Sequence, residues 1–259
     1  MVNKVTSQNY WETIYNGSVK YKSPVVHGYL GFINNQVTKS INRFYPYKSI
    51  VELGAGGSDW LIHLALASKS EKVQGIEYTI KGCELLEKKA AGVIKNLKVL
   101  KKDIFELNND EIEKFELVFS NGLVEHFKDL EGVIGIKKRF MAEDGYMYTI
   151  IPNIPGLPGL LMRYLNKDIY DLHVPYNHEK LRDAHEKNGL YIVDSGYLCF
   201  FNYGVASACI DGASRFVVIM YKLLAIIGRL QLIFEFYIKK LPANKFSSPY
   251  IFVLAKYKR

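Results

Sequence analysis

The sequence predicts an α/β protein with a doubly wound parallel sheet, and three observations carry that prediction. Strand-sized apolar segments alternate with helix-sized ones from residue 49 to residue 153, the pattern of a sheet wrapped on both faces by helices. The segment VELGAGGSDWLIHLA (51–65) runs from an apolar strand through a glycine-rich turn into a helix. An acid, Glu77, then ends the next strand roughly 20 residues further on, where nucleotide-binding folds of this class place a ribose-binding carboxylate.

The elements read in order as follows. SIVELG (49–54) is a buried strand, DWLIHLALAS (59–68) a helix and KVQGIEY (72–78) a second strand. A helix over 80–92 comes next, then strands NLKVLKKD (96–103) and FELVFSNG (115–122). A helix from Asp129 to Met141 is expected to end at the Glu143-Asp144-Gly145 turn, before the strand GYMYTIIPN (145–153). Beyond it, Pro and Gly predict an irregular loop, with a helix starting near His178. In such sheets ligands sit beyond the carboxyl ends of the strands, and the candidates of the core lie there.

The 259 residues, 49% hydrophobic and 23% charged, suffice for one large core with additions. The chain divides into a cap (1–46), a core (47–204 and 247–259) and a helical insertion (205–246). A net charge of +8 favours anionic partners. Cys83, Cys199 and Cys209 are widely spaced in apolar contexts, which indicates neither a disulfide framework nor a metal knuckle and fits a reducing cytoplasm. MVNKVTSQNYW has no apolar signal core, so no export is expected. Lysine runs such as Lys137-Lys138-Arg139 and Lys256-Tyr257-Lys258-Arg259 read as solvated faces and tails.

Gly54, Gly56 and Gly57 let a ligand approach the backbone closely, and the helix that follows offers unpaired N–H groups. The alternative is a plain strand-to-helix connection. Glu77 reads either as a ribose ligand or as a solvated strand end. Asp103 reads either as an adenine ligand, with Ile104 packing the ring, or as a helix cap.

Glu52-Leu53-Gly54-Ala55-Gly56-Gly57, Gly75-Ile76-Glu77, Lys102-Asp103-Ile104 and Phe119-Ser120-Asn121-Gly122-Leu123-Val124-Glu125-His126-Phe127 together resemble, in order, the motifs of class I S-adenosylmethionine-dependent methyltransferases. The resemblance covers roughly residues 47–200 and, more weakly, SSPYIFVLAKYK. It implies a seven-stranded, mostly parallel Rossmann-like sheet whose last strand is antiparallel. It also implies S-adenosylmethionine as cofactor, with Glu52, Gly54 and Gly56 around its methionine part, Glu77 at the ribose, Asp103 and Ile104 at the adenine, Asn121 and Gly122 near the sulfonium, and Tyr78 as a further cofactor-binding residue. Ser58 stands where a third glycine often follows, a departure that weakens a dinucleotide reading more than this one.

The Asn/Asp/Ser-Pro-Pro-aromatic signature of base-amine methyltransferases is absent, so no nucleic-acid substrate is expected. The Glu-His-Phe ending resembles small-molecule enzymes of quinone, antibiotic and bacterial surface-sugar pathways. His126 reads either as a general base on a hydroxyl or as a packing histidine. Arg163, His173, Tyr176 and His178, with Lys167, offer groups suited to a phosphate or a sugar hydroxyl, and each taken alone also reads as a surface residue. A metal set of Asp171, His173 and His178 has no recognised spacing, and no metal is expected. The N-terminal stretch resembles a cap over the cofactor, with Tyr15, Tyr21 and Lys22 as lid residues; packing under the sheet edge is the alternative, above all for Trp11 and Tyr15.

FVVIMYKLLAIIGRLQLIFEFYIKKL (216–241) stands where this family usually has a short hairpin. Lys222, Arg229 and Glu235 interrupt it too often for an ordinary membrane span. Three readings remain: a helix covering the protein's own sheet or pocket, a homodimer contact, or a membrane-surface contact at the inner membrane face. The expected function is O-directed methylation of a small, possibly anionic acceptor. Lys, Ile, Asn and Tyr richness fits an AT-rich bacterial genome, and a capsule or lipopolysaccharide precursor is the expected acceptor. A phosphate or phosphoramidate oxygen, RNA or protein methylation, and a non-catalytic cofactor-binding scaffold are the alternatives.

Overall fold

Alternate residues of the first strand enter different cores. Ile50 packs in one apolar cluster and Val51 in the other, because successive strand side chains point to opposite faces. The computed structural model describes residues 4–15, 19–42, 46–202, 204–210 and 214–257; Lys258 and Arg259 of the basic tail lie outside them. Seven strands form one sheet: β1 (Ser49–Leu53), β2 (Lys72–Glu77), β3 (Leu97–Lys101), β4 (Phe115–Asn121), β5 (Met141–Pro152), β6 (Leu190–Leu198) and β7 (Tyr250–Tyr257).

Their order is β3-β2-β1-β4-β5-β7-β6. Only β7 runs antiparallel to its neighbours; the other pairings are parallel. The strand order reverses between β1 and β4, which opens a crevice at their carboxyl ends.

The helices around the sheet are α1 (Gln8–Ile14), α2 (Phe32–Ile41), α3 (Asp59–Ser68), α4 (Ile80–Ala90), α5 (Leu130–Lys138), α6 (Leu157–Leu165), α7 (Lys167–Asp171), α8 (His178–Lys187) and α9 (Arg215–Tyr237). One cluster joins Val51, Leu53 and Val118 to Val133 and Ile134 of α5 and Leu181 of α8. The other joins Ile50, Leu117 and Phe119 to Ile41 of α2 and Leu61 and Ile62 of α3. Each such buried side chain contributes about 1.5–3 kcal/mol. Local chemistry sets the helix ends. Ser58 Oγ accepts the Leu61 N–H at 3.2 Å and starts α3, which stops at Lys69 in the left-handed region (φ 51°).

Four sequence expectations need correction. First, α5 ends at Lys138 and β5 begins at Met141, ahead of the expected turn. The buried Phe115 N–H donates to the Phe140 carbonyl at 2.8 Å, and the β4–β5 register is irregular between Phe115 and Leu117. Second, the expected loop after β5 holds α6 and α7. Pro158 lies in the first turn of α6, where a missing N–H breaks no helical bond.

Third, Lys137 is not on a solvated face. It is fully buried, and its Nζ donates to Ser120 Oγ and Thr149 Oγ1, both at 2.6 Å. Burial lowers its pKa and raises that of the buried Glu125 nearby. Fourth, α9 does not cover the sheet. Only Gly228, Leu232 and Glu235 of its residues are buried. By length and composition alone it is apolar enough to cross a membrane, contrary to the expectation from its charges.

Candidate active site

The glycine turn after β1 is held by backbone bonds to β2. The N–H groups of Gly54 and Ala55 both donate to the Ile76 carbonyl, at 2.9 and 3.1 Å. Gly54 has φ 72°, a conformation that favours glycine. A Cβ on Gly56 would lie 2.1 Å from the Tyr15 ring, so that ring rests directly on the turn.

Glu77 ties the turn to β2. Its Oε2 accepts the Gly56 N–H at 3.1 Å, while its Oε1 accepts the N–H and hydroxyl of Thr79 at 2.8 and 2.7 Å. Burial raises its pKa against those donors. Glu52 is also buried, and its Oε2 has no hydrogen-bond partner among the described residues. Burial pushes its pKa up to about 8; Ser58 and the Leu61 N–H oppose the shift, and Glu77 adds to it.

Past the end of β3, Asp103 pairs with Lys4, whose Nζ also lies 5.0 Å from the centre of the Tyr78 ring and 5.6 Å from that of Phe105. At the end of β4, Gly122 has φ 71° and its N–H donates to the Ile150 carbonyl at 3.0 Å. A short 3-10 turn, Val124–His126, follows. His126 is buried, and its Nδ1 sits 2.7 Å from the Leu172 carbonyl. A carbonyl only accepts, so Nδ1 carries the proton and Nε2 a lone pair. Trp11 meets the ring edge-on at 5.0 Å and His173 lies against it at 4.8 Å. Burial, with His173 adding, lowers the His126 pKa to about 3.

These groups border one cleft of about 470 Å³. Glu52, Gly54, Gly56, Glu77, Tyr78, Asp103, Ile104, Asn121, Gly122 and His126 all line it, as do Tyr15 and Lys22 of the cap. Other candidates lie elsewhere. Tyr176 donates its hydroxyl to the Phe127 and Lys128 carbonyls, because its ring is buried in the core beneath. His178 starts α8 and bonds Ser195 Oγ through Nε2 at 3.0 Å. Arg163 is exposed on α6 beside the Tyr170 ring, and Lys167 pairs with Asp171 one turn along α7. Tyr21 packs against the core instead of lining the cleft. His173 backs His126, its Nδ1 2.9 Å from the Ile169 carbonyl.

The set of Asp171, His173 and His178 does not assemble. Glu125, His126 and His173 instead bring ligand-capable atoms within 4.8 Å of one another. Bonds to zinc are about 2.1 Å long, so gripping an ion there would require the rings to move together. The sequence reading missed Lys4, Thr6, Asp59 and Trp60 on the cleft wall. Asp59 and Trp60 follow the glycine turn directly, which was the available signal; Lys4 and Thr6 arrive through a long-range contact, with the Val5 N–H donating to the His126 carbonyl at 2.9 Å.

Residues 46–196 match the family model described as a methyltransferase domain. The chain belongs to this methyltransferase family. No curated relative matches its sequence. Among solved structures, it is similar to a SAM-dependent methyltransferase from Archaeoglobus fulgidus, with 17% identity, a TM-score of 0.57, and 97% of this chain and 100% of that one covered. Coclaurine N-methyltransferase, bound to N-methylheliamine and SAH, gives 14% identity, a TM-score of 0.61, and coverage of 98% and 82%. Geranyl diphosphate C-methyltransferase from Streptomyces coelicolor, with Mg2+, geranyl diphosphate and S-adenosyl-L-homocysteine, gives 13%, 0.57, and 86% and 76%. At these identities the likeness is one of fold.

The cofactor of this methyltransferase is S-adenosylmethionine, and the cleft suits it. The unpartnered Glu52 Oε2 is a buried acceptor for a cationic amino group. Glu77 offers a carboxylate for ribose hydroxyls, and Asp103 with Ile104 a polar and apolar edge for an adenine.

Proposed function

We propose that the methyltransferase carries a methyl group from S-adenosylmethionine to a hydroxyl oxygen of a small acceptor, a sugar or phosphorylated precursor of a bacterial capsule or lipopolysaccharide. The observation that supports this reading is His126: a buried imidazole on the cleft wall, next to Asn121 and Gly122, with its proton held at Nδ1 by the Leu172 carbonyl. Its Nε2, 4.0 Å from Glu125 Oε1, is therefore the ring atom left to accept a proton or a hydrogen bond.

The bound cofactor supplies a methyl already activated by its sulfonium, which leaves as a neutral thioether. The chain's task is to align an oxygen with that methyl and keep water out. Trp11, Leu123 and Phe127 give the cleft apolar walls. As the C–O bond forms, the acceptor proton passes to His126 Nε2. An imidazole with a pKa near 3 is a weak base, which puts its contribution at the low end of the usual 10² to 10⁴ range.

A phosphate or phosphoramidate oxygen is the second reading, favoured by Lys22 on the same wall; the other two wall lysines, Lys4 and Lys102, already pair with Asp103 and Glu111. An acceptor that is already anionic needs cations and no base. Labelled methyl uptake from S-adenosylmethionine, screened over nucleotide sugars and phosphorylated metabolites, separates the two. A neutral hydroxyl acceptor supports the first reading. Uptake confined to phosphoryl oxygens supports the second, and binding without uptake points to a scaffold.

A further inference from the structure

Helix α9 presents an uncovered apolar stripe to the outside. Phe216, Ile219, Leu223, Ile227, Leu230 and Phe234 follow one another at steps of three or four, so they share one face of the helix. Five of them are more than half exposed, and Phe234 is 40% exposed. The opposite face touches the domain through the 3-10 segments Tyr29–Gly31 and Gly204–Ile210. Segment Gly204–Ile210 also packs on α6, which exposes Leu160 and Tyr164. An exposed apolar surface of this extent marks a docking site.

Charge selects the occupant. Arg215, Lys222 and Arg229 are spaced seven apart, hence in one row along the edge of the stripe, and all three are exposed. Lys239, Lys240 and Lys245 follow beyond the helix, also exposed. The acid of the helix, Glu235, is turned inward, where its Oε2 accepts the Leu241 N–H at 3.3 Å. A two-fold partner would set this face against a copy of itself, cation row to cation row and no acid to answer it. An anionic bilayer supplies both complements: acyl chains for the stripe and headgroups for the row. A helix lying in the surface lets Lys222 and Arg229 extend to the headgroups, whereas one crossing the bilayer would carry them into its interior.

We infer that α9 is a monotopic membrane contact that seats the methyltransferase on an anionic lipid surface. The helix is about 34 Å long. It lies against the segment Tyr29–Gly31, which follows the cap residues Lys22 and Pro24 of the cleft wall in sequence, so the contact is tied to the cap. This inference stands independently of the acceptor.

Flotation of the full chain with phosphatidylcholine vesicles, with and without phosphatidylglycerol, tests it. The protein should float only with phosphatidylglycerol and be released by high salt. The variant Arg215→Gln/Lys222→Gln/Arg229→Gln should partition on the order of a hundredfold more weakly, at about 1 kcal/mol per basic residue. Leu223→Ser/Ile227→Ser/Leu230→Ser should not float and should melt at the wild-type temperature. Three results would overturn the inference: no flotation by folded wild type, salt-resistant flotation on both vesicle types, which indicates a span, or a dimer that leaves vesicles alone.

Discussion

The Gly56 N–H donates to Glu77 Oε2 at 3.1 Å, so the acid that ends β2 and the turn that follows β1 form one unit. The pair links residues 21 positions apart, so the proposed ribose carboxylate and the turn are held together. Cofactor at a hundred times its dissociation constant adds about 2.7 kcal/mol of stability, which for a chain of this size raises the melting temperature by roughly 5–10 °C. In Glu77→Ala that rise should vanish. Because Glu77 also anchors Thr79, Glu77→Gln serves as the milder variant and should keep the fold while weakening the shift. A full shift in both would remove the ribose assignment.

Lys4 pairs with Asp103, above the Tyr78 and Phe105 rings. If Asp103 takes the adenine, cofactor entry breaks that pair. A partly exposed ion pair is worth about 0.2–1 kcal/mol, so Lys4→Ala should bind S-adenosylmethionine up to roughly fivefold more tightly in calorimetry. Weaker binding would mean that Lys4 closes over the nucleoside instead of competing with it.

Glu52 should make cofactor binding release a proton. With its pKa pushed up to about 8 by burial, the carboxyl is mostly protonated at pH 7, and a cationic ligand beside it favours the ionised form. Affinity should therefore rise with pH up to about 8 and level off above. Calorimetry in buffers of different ionisation enthalpy should show the proton at pH 7, and Glu52→Gln should abolish it. Affinity independent of pH in the wild type would contradict the assignment.

His185 links the core to acid stability. It is fully buried, its Nε2 lies 3.0 Å from Thr149 Oγ1, and burial, with Lys137 adding, lowers its pKa from 6.5 to about 3. The unfolded chain takes up this proton below 6.5 and the native chain does not until about 3. His185 thus costs stability progressively across that window, by about 1.4 kcal/mol per pH unit. The stability gap between wild type and His185→Gln should narrow at that rate as pH falls below 6.5. Parallel curves would show that His185 does not titrate this way.

The parallel half of the sheet was readable because each strand is a short apolar run between turn signals. α3 falls on Asp59–Ser68 as expected, with Ser58 supplying its cap. That the cofactor candidates would line one cleft was readable for a topological reason: strand ends at the reversal between β1 and β4 must converge. Most of what failed depended on contacts far apart in sequence. Tyr176 carries the right chemistry for a substrate but spends its hydroxyl on the 127–128 backbone. Lys137 sits in a run of cations yet faces Ser120 and Thr149 inside. Pro155, Gly156 and Pro158 suggested a loop, although a proline in a first turn suits a helix. The apolar pattern of α9 was plain, but whether anything covers it depends on packing that periodicity does not report.

The most direct test of the account is release of S-adenosylhomocysteine by purified protein given S-adenosylmethionine and a hydroxyl acceptor, compared between wild type and His126→Ala. Turnover should fall about a hundredfold in the variant while cofactor affinity holds. The wild-type rate should lack the acid limb that an imidazole of pKa 6.5 would impose, since burial keeps His126 neutral to about pH 3. Turnover that survives His126→Ala but collapses in Lys22→Ala would contradict the account and make the acceptor a phosphoryl oxygen.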